Sequence, residues 1–203
     1  MRRATVTGAI LLAAASAGTA YAGGVELDIV GEVNATIDGQ PSERVVLSGT
    51  IRGEEGTTAR LERMQMPGRM PERWTLTVTG HDPESDDILR ENILVVSAPL
   101  GSGEDPEALF DQVDRPEITW VKENGFRPEV AYTSNEHPHE NAEITIEHLE
   151  LNGDTGYARG TAFATACRFD MTDIMSGVDG DDCVDIDVSF DTEFMLDEID
   201  LDM

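Results

Sequence analysis

From Cys183 to Phe194 the chain alternates almost perfectly. Val184, Ile186, Val188, Phe190 and Phe194 fall on one parity, and Asp185, Asp187, Ser189, Asp191 and Glu193 on the other. Successive side chains of a β-strand point to opposite faces, so this pattern predicts a strand with one dry face and one acidic, wet face. A dry face on one strand requires other layers to cover it. The rest of the chain supplies them in the same idiom.

Val25, Leu27, Ile29, Val33, Ala35 and Ile37 share a parity, with a bend expected at Gly31. Asp38-Gly39 is a strong hairpin turn, and Val45, Leu47, Gly49 and Ile51 read as the returning strand. Thr57 to Met64 and Arg73 to Thr79 read as strands, the latter with Trp74, Leu76 and Val78 inward. Ile93 to Ala98 is apolar on both parities, as expected of a strand buried on both faces or pairing in the centre of the sheet. Pro106 to Val113 is the single helical candidate. Ile118 to Val121, with Trp120, reads as a strand, and Phe126 to Tyr132 as another.

Further along, Ala142, Ile144 and Ile146 share a parity that Leu149 and Leu151 do not. This places a β-bulge near Glu147 and His148. Asn152 to Gly156 is a turn, and Tyr157 to Phe169 returns with Tyr157, Phe163, Cys167 and Phe169 on one side. The other side is all small: Ala158, Gly160, Ala162, Ala164 and Ala166, which invites close approach by another layer. Short alternating strands separated by turns predict an all-β fold, an antiparallel β-sandwich or jelly-roll of about eight to ten strands with little helix. No linker-like boundary divides residues 23–203, so one domain is expected, with an acidic tail from about residue 195.

The amino terminus bears on compartment. Met-Arg-Arg, a short apolar run and Ala20-Tyr21-Ala22 predict a secretory signal peptide over residues 1–22, cut near Ala22. No later run is apolar for the length that a membrane-spanning helix needs. The expected location is therefore periplasmic or secreted. Loss of Arg2 and Arg3 would take the formal charge from −27 to −29. Such a chain cannot neutralise phosphates, which argues against nucleic acid as a partner. It leaves a protein partner or a divalent cation open. The acids are spread along every wet face, as a solvating surface would be.

Two cysteines in an exported chain predict a Cys167–Cys183 disulfide enclosing 15 residues. Closing such a loop is worth roughly 3 kcal/mol on the chain-entropy model.

Three sets of residues could ligate metal, though no cofactor is compelled. Asp170, Asp173, Asp179, Asp181 and Asp182 lie in or near the cysteine-closed loop and offer the hard oxygens that Ca²⁺ takes. Met64, Met66 and Met70 offer soft thioethers suited to copper. His137 and His139 with Glu143 resemble the first metal motif of the cupins, which implies a β-barrel holding a transition metal such as zinc or copper. This chain departs from that motif: Ala131 stands where its glycine would be, Pro138 separates the histidines, and no histidine follows His148. No nucleophile motif or phosphate loop is present. The favoured expectation is an exported, non-enzymatic domain that binds or assembles through its surface. The alternative is a metal-dependent carrier or enzyme.

Overall fold

The computed structural model describes residues 19–22, 25–51, 54–65, 72–122, 130–134, 141–172 and 177–200. They form twelve strands: β1 (Thr19–Ala22), β2 (Val25–Ile37), β3 (Gln40–Ile51), β4 (Glu54–Thr57), β5 (Ala59–Gln65), β6 (Arg73–His81), β7 (Ile93–Ser102), β8 (Glu117–Val121), β9 (Val130–Thr133), β10 (Glu143–Asn152), β11 (Thr155–Asp170) and β12 (Val178–Asp200). The all-β class is as expected. The helical candidate is only a 3-10 turn at Pro106–Ala108, opened by the Asp105 carboxylate accepting from the Glu107 amide. Eight residues holding two acids and a proline are too few to nucleate an α-helix without a packed face.

All twelve strands join one sheet. Its pairings close a circuit. β11 pairs with β9, then β8, β7, β6 and β5 follow in turn; β5 pairs with β12, and β12 returns to β11. β10 extends the sheet beyond β11, while β2, β3 and β4 extend it beyond β12. Every pairing is antiparallel except one: β12 runs parallel to β5 over Met195–Asp200. The end of the chain that reads as an acidic tail is therefore a strand as far as Asp200. Its parity breaks at Met195 and Leu196, which hides it from a search for alternation.

One core fills the space inside the circuit. Ile186, Val188, Phe190 and Phe194 of β12 meet Trp74, Leu76 and Val78 of β6 and Leu94, Val96, Ala98 and Leu100 of β7. The small side of β11 is the buried one, and Phe163 on its other side is exposed. Smallness there has a direct cause. Gly156 and Gly160 stand opposite Phe194 and Phe190 across the β11–β12 ladder. Both rings lie over the bare glycine backbone, where a Cβ would collide with them.

Two-residue turns fix the registers. Asp38 and Gly39 both have positive φ (49° and 73°), the conformation of a type I′ hairpin turn. The predicted bulge is present: the β10–β11 register shifts between Ile146 and His148, so Ile146 and Leu149 are both buried. In β2 the register against β3 shifts between Ile29 and Gly31, where a bend was expected. The reading of β3 needs correction. Val46 faces the main core, whereas Leu47 joins a second cluster with Leu27 and Ile88 on the reverse side. The segment between β6 and β7 covers that reverse side with Ile88 and Leu89.

Candidate functional site

Cys167 and Cys183 are bonded and stand directly opposite each other in the β11–β12 ladder. Part of the enclosed stretch, among the described residues, continues the ladder. Beyond the disulfide the hairpin resumes, with Arg168 opposite Asp179 and Phe169 opposite Val178.

That pairing spreads the acids predicted to bind calcium. Asp170 accepts from the Thr172 amide and hydroxyl at 2.8 and 2.7 Å, and Asp179 from the Asp181 amide at 3.1 Å. Asp182 accepts from the Tyr132 hydroxyl at 3.3 Å and lies 3.8 Å from Arg168. Asp173 lies outside the described residues. Among the described residues no group of three or more His, Cys, Asp or Glu converges as metal ligands.

The other two sets are only partly described. Met64 is half-buried on β5, beside Arg63, while Met66 and Met70 lie outside the described residues. Arg63 does not remain a free cation there: Glu72 takes it at 2.7 and 2.9 Å, Glu198 at 2.8 Å, and it stacks over Trp74. The two carboxylates hold the Arg63 guanidinium above its ordinary pKa, and Arg63 holds Glu72 below the usual carboxylate range. His137 and His139 lie outside the described residues. Glu143 is exposed at the start of β10.

Glu143 instead lines a groove of about 610 Å³ on the outer face of the sheet. Register builds this groove in rows. Thr145, Thr161, Ser189, Asn34 and Glu43 stand side by side across β10, β11, β12, β2 and β3. The adjacent row is Glu143, Phe163, Asp187, Thr36 and Pro41 on the same strands. Four inter-strand steps make each row about 19 Å wide. Phe163, 40% exposed, is one of two large apolar side chains left open to solvent among the described residues. The Glu143 and Asp187 carboxylates flank it across the strands, and the Thr161 hydroxyl lies along its own strand. Sequence parity puts Asn34, Thr36, Glu143, Thr145, Asp187 and Ser189 on the wet face, but only the register aligns them with Glu43, Pro41, Thr161 and Phe163.

A second depression, about 530 Å³, opens at one end of the interior, between the β2–β3 hairpin and β8–β9. Behind it lies a network that sequence reading did not single out. Arg44 is 2% exposed. Its two terminal nitrogens donate to the Asn92 carbonyl and, at 2.8 Å, to Asn92 Oδ1; its Nε has no partner. Asn92 Nδ2 donates to Asp82 at 2.5 Å, and the Trp120 indole N–H donates to Asn92 Oδ1 at 2.8 Å. Burial lowers the Arg44 pKa to about 10 against the pull of Asp82, so it stays a cation at neutral pH. His81, also buried, presents Nδ1 to the Ile88 carbonyl at 2.7 Å. Burial first, and the Arg44 charge after it, push its pKa below the ordinary value, despite the opposing bond to Ile88.

Fold and sites together show an all-β, disulfide-bonded chain whose described residues include the polar-rimmed outer groove and the depression lined by Arg44 and Trp120. Among the described residues no helix is long and apolar enough to cross a membrane. No protein-family model, no curated protein and no solved structure matches the chain.

Proposed function

We propose that this protein is an exported, non-enzymatic binding module that holds an extended glycan chain across its outer groove. The observation that carries this reading is the pair of aligned rows. They present hydroxyls, an amide and carboxylates around the exposed ring of Phe163. Sugar hydroxyls need both donors and acceptors at close spacing, and Thr, Ser, Asn, Asp and Glu supply both. The C–H face of a pyranose ring finds an apolar platform on Phe163. A row about 19 Å wide suits a chain lying across strands rather than a single small molecule. Export is supported by the amino-terminal sequence pattern and by the disulfide, since such bonds persist in oxidising compartments.

Titration calorimetry against soluble neutral polysaccharides such as dextran, xylan and galactomannan tests this. Saturable binding weakened at least tenfold by Phe163→Ala is the expected result. Wild-type protein that binds none of them, or binding unchanged in Phe163→Ala, overturns the reading.

A further inference from the structure

We infer that the depression at the end of the interior is a separate small-molecule site for a planar aromatic ring bearing a carboxylate. Its volume lies within the range of pockets that enclose small ligands, and its place between covering layers is where such pockets form. Three features fix the ligand chemistry.

The first is a preorganised ring wall. Trp120 and Tyr132 stack with centroids 5.4 Å apart and planes 29° apart. Trp120 cannot turn freely, because its N–H is tied to Asn92 and Asn92 is tied in turn to Asp82 and Arg44. A side chain locked before binding spares the ligand the cost of ordering it. Flat, fixed aromatic surface selects a flat partner.

The second is cationic charge where the chain has almost none to spare. Lys122 is the only lysine in a chain of formal charge −27. Its Nζ lies 5.8 Å from the Trp120 ring centre, and it enters no ion pair among the described residues. An anion bound against that wall lies within reach of it.

The third is an unanswered donor. Arg44 lines the same pocket with Nε unpaired, and a buried donor left without an acceptor is costly. Two carboxylates also line the pocket. Asp182 is already held by the Tyr132 hydroxyl and faces Arg168, and Asp38 sits on the hairpin turn. Asp82 answers part of the Arg44 charge through Asn92, but Lys122 has no such carboxylate partner among the described residues, and an anionic group there completes the site.

The test uses indole-3-carboxylate and benzoate as probes, with indole and benzamide as their uncharged counterparts, on the full disulfide-bonded protein. Binding is read by line broadening or shift of the probe's proton signals and by Trp120 fluorescence, with Trp120→Phe separating it from Trp74. The expected result is saturable binding of the carboxylates, at least tenfold tighter than their uncharged counterparts. Lys122→Gln should weaken carboxylate binding at least tenfold, and Phe163→Ala, in the outer groove, should leave it unchanged. Circular dichroism identical to wild type certifies the fold of each variant. No saturable carboxylate binding, equal binding of charged and uncharged probes, or indifference to Lys122→Gln overturns the inference. A response to Phe163→Ala would also overturn it, by placing the probe in the groove.

Discussion

Gly160 stands directly opposite Phe190, and a Cβ at position 160 would lie 2.7 Å from the far carbon of the Phe190 ring. The same Cβ would lie 2.5 Å from the Thr145 carbonyl oxygen, which is backbone and cannot swing aside. Gly160→Ala should therefore destabilise the protein by about 1–3 kcal/mol, the usual cost of overpacking a filled core. Phe190→Leu on top of it should restore only part of that loss, because the clash with Thr145 remains. Urea unfolding of the three variants measures both. A neutral Gly160→Ala would mean that the two strands do not pair in this register.

Phe190 also offers a contrast with its neighbour. Phe190 is buried and Asp191 is exposed one residue on. Phe190→Ala should cost about 3–5 kcal/mol in lost burial and cavity. Asp191→Ala gives up a 2.8 Å bond from the exposed Tyr157 hydroxyl but relieves a crowded acidic face, and should stay within about 0.5 kcal/mol. Equal effects in urea would contradict the burial of alternate residues along β12.

The Cys167–Cys183 bond closes 15 intervening residues, so reduction should lower stability by roughly 3 kcal/mol on the chain-entropy model. Mass spectrometry of the unreduced protein should show two protons fewer than the dithiol. An unfolding midpoint that ignores reductant would show that the hairpin beyond the disulfide holds itself closed.

Alternation made β12, β6 and most of β2 legible, because each has one dry and one wet face. β3 was misread for the opposite reason. Val46 and Leu47 are both buried, one in each cluster, so no parity marks the inside. The parallel pairing of Met195–Asp200 with β5 left no trace in the sequence, since its partner lies over 130 residues away. Bulge and turns were visible because Glu147 shifts a parity and Asp38-Gly39 demands positive φ. The sites were less legible. Arg44, Asn92, Lys122, Tyr132 and Asp182 come from five separate stretches, and no spacing joins them. The one available signal was the solitary Lys122. Ligand-like spacing does not show whether side chains converge, and the described acids of the cysteine-closed stretch do not, while His137, His139, Met66, Met70 and Asp173 lie outside the described residues.

Burial holds His81 neutral, and this makes stability depend on pH. Its pKa in the fold lies below the ordinary value, so the unfolded chain takes up the proton first. The stability contribution is therefore present above about pH 6.5 and is lost as pH falls through the lowered value. In structural terms a proton on Nε2 would lie buried with no acceptor and close to the Arg44 charge. Wild-type protein should lose stability between pH 7 and pH 5, and His81→Asn, whose amide can still donate towards Ile88, should flatten that loss. Glu72, whose pKa is also lowered, keeps its contribution throughout this range and loses it only at lower pH, as pH falls through that lowered value. Parallel curves for the two proteins between pH 7 and 5 would exclude His81 as the cause.

Removing the final strand segment should damage the core, not trim a tail. Met195 to Asp200 pairs with Arg60 to Gln65 of β5, and Leu196 packs against the main cluster. Arg60 lies 3.5 Å from Asp197, and Arg63 lies 2.8 Å from Glu198, although such exposed pairs add little. Truncation after Phe194 also strips β5 of one partner and opens a sheet edge. Leu196 is partly buried, so its loss is worth less than the roughly 1.5–3 kcal/mol of a fully buried leucine, and the opened edge adds to it. The truncated protein should therefore unfold at least about 2 kcal/mol more easily than wild type, and should self-associate at concentrations where wild type does not. Leu196→Ala separates the two effects, because it removes the packing and keeps the backbone ladder: it should lower stability without promoting association. A truncated protein as stable as wild type in urea would show that the circuit closes without the parallel pairing.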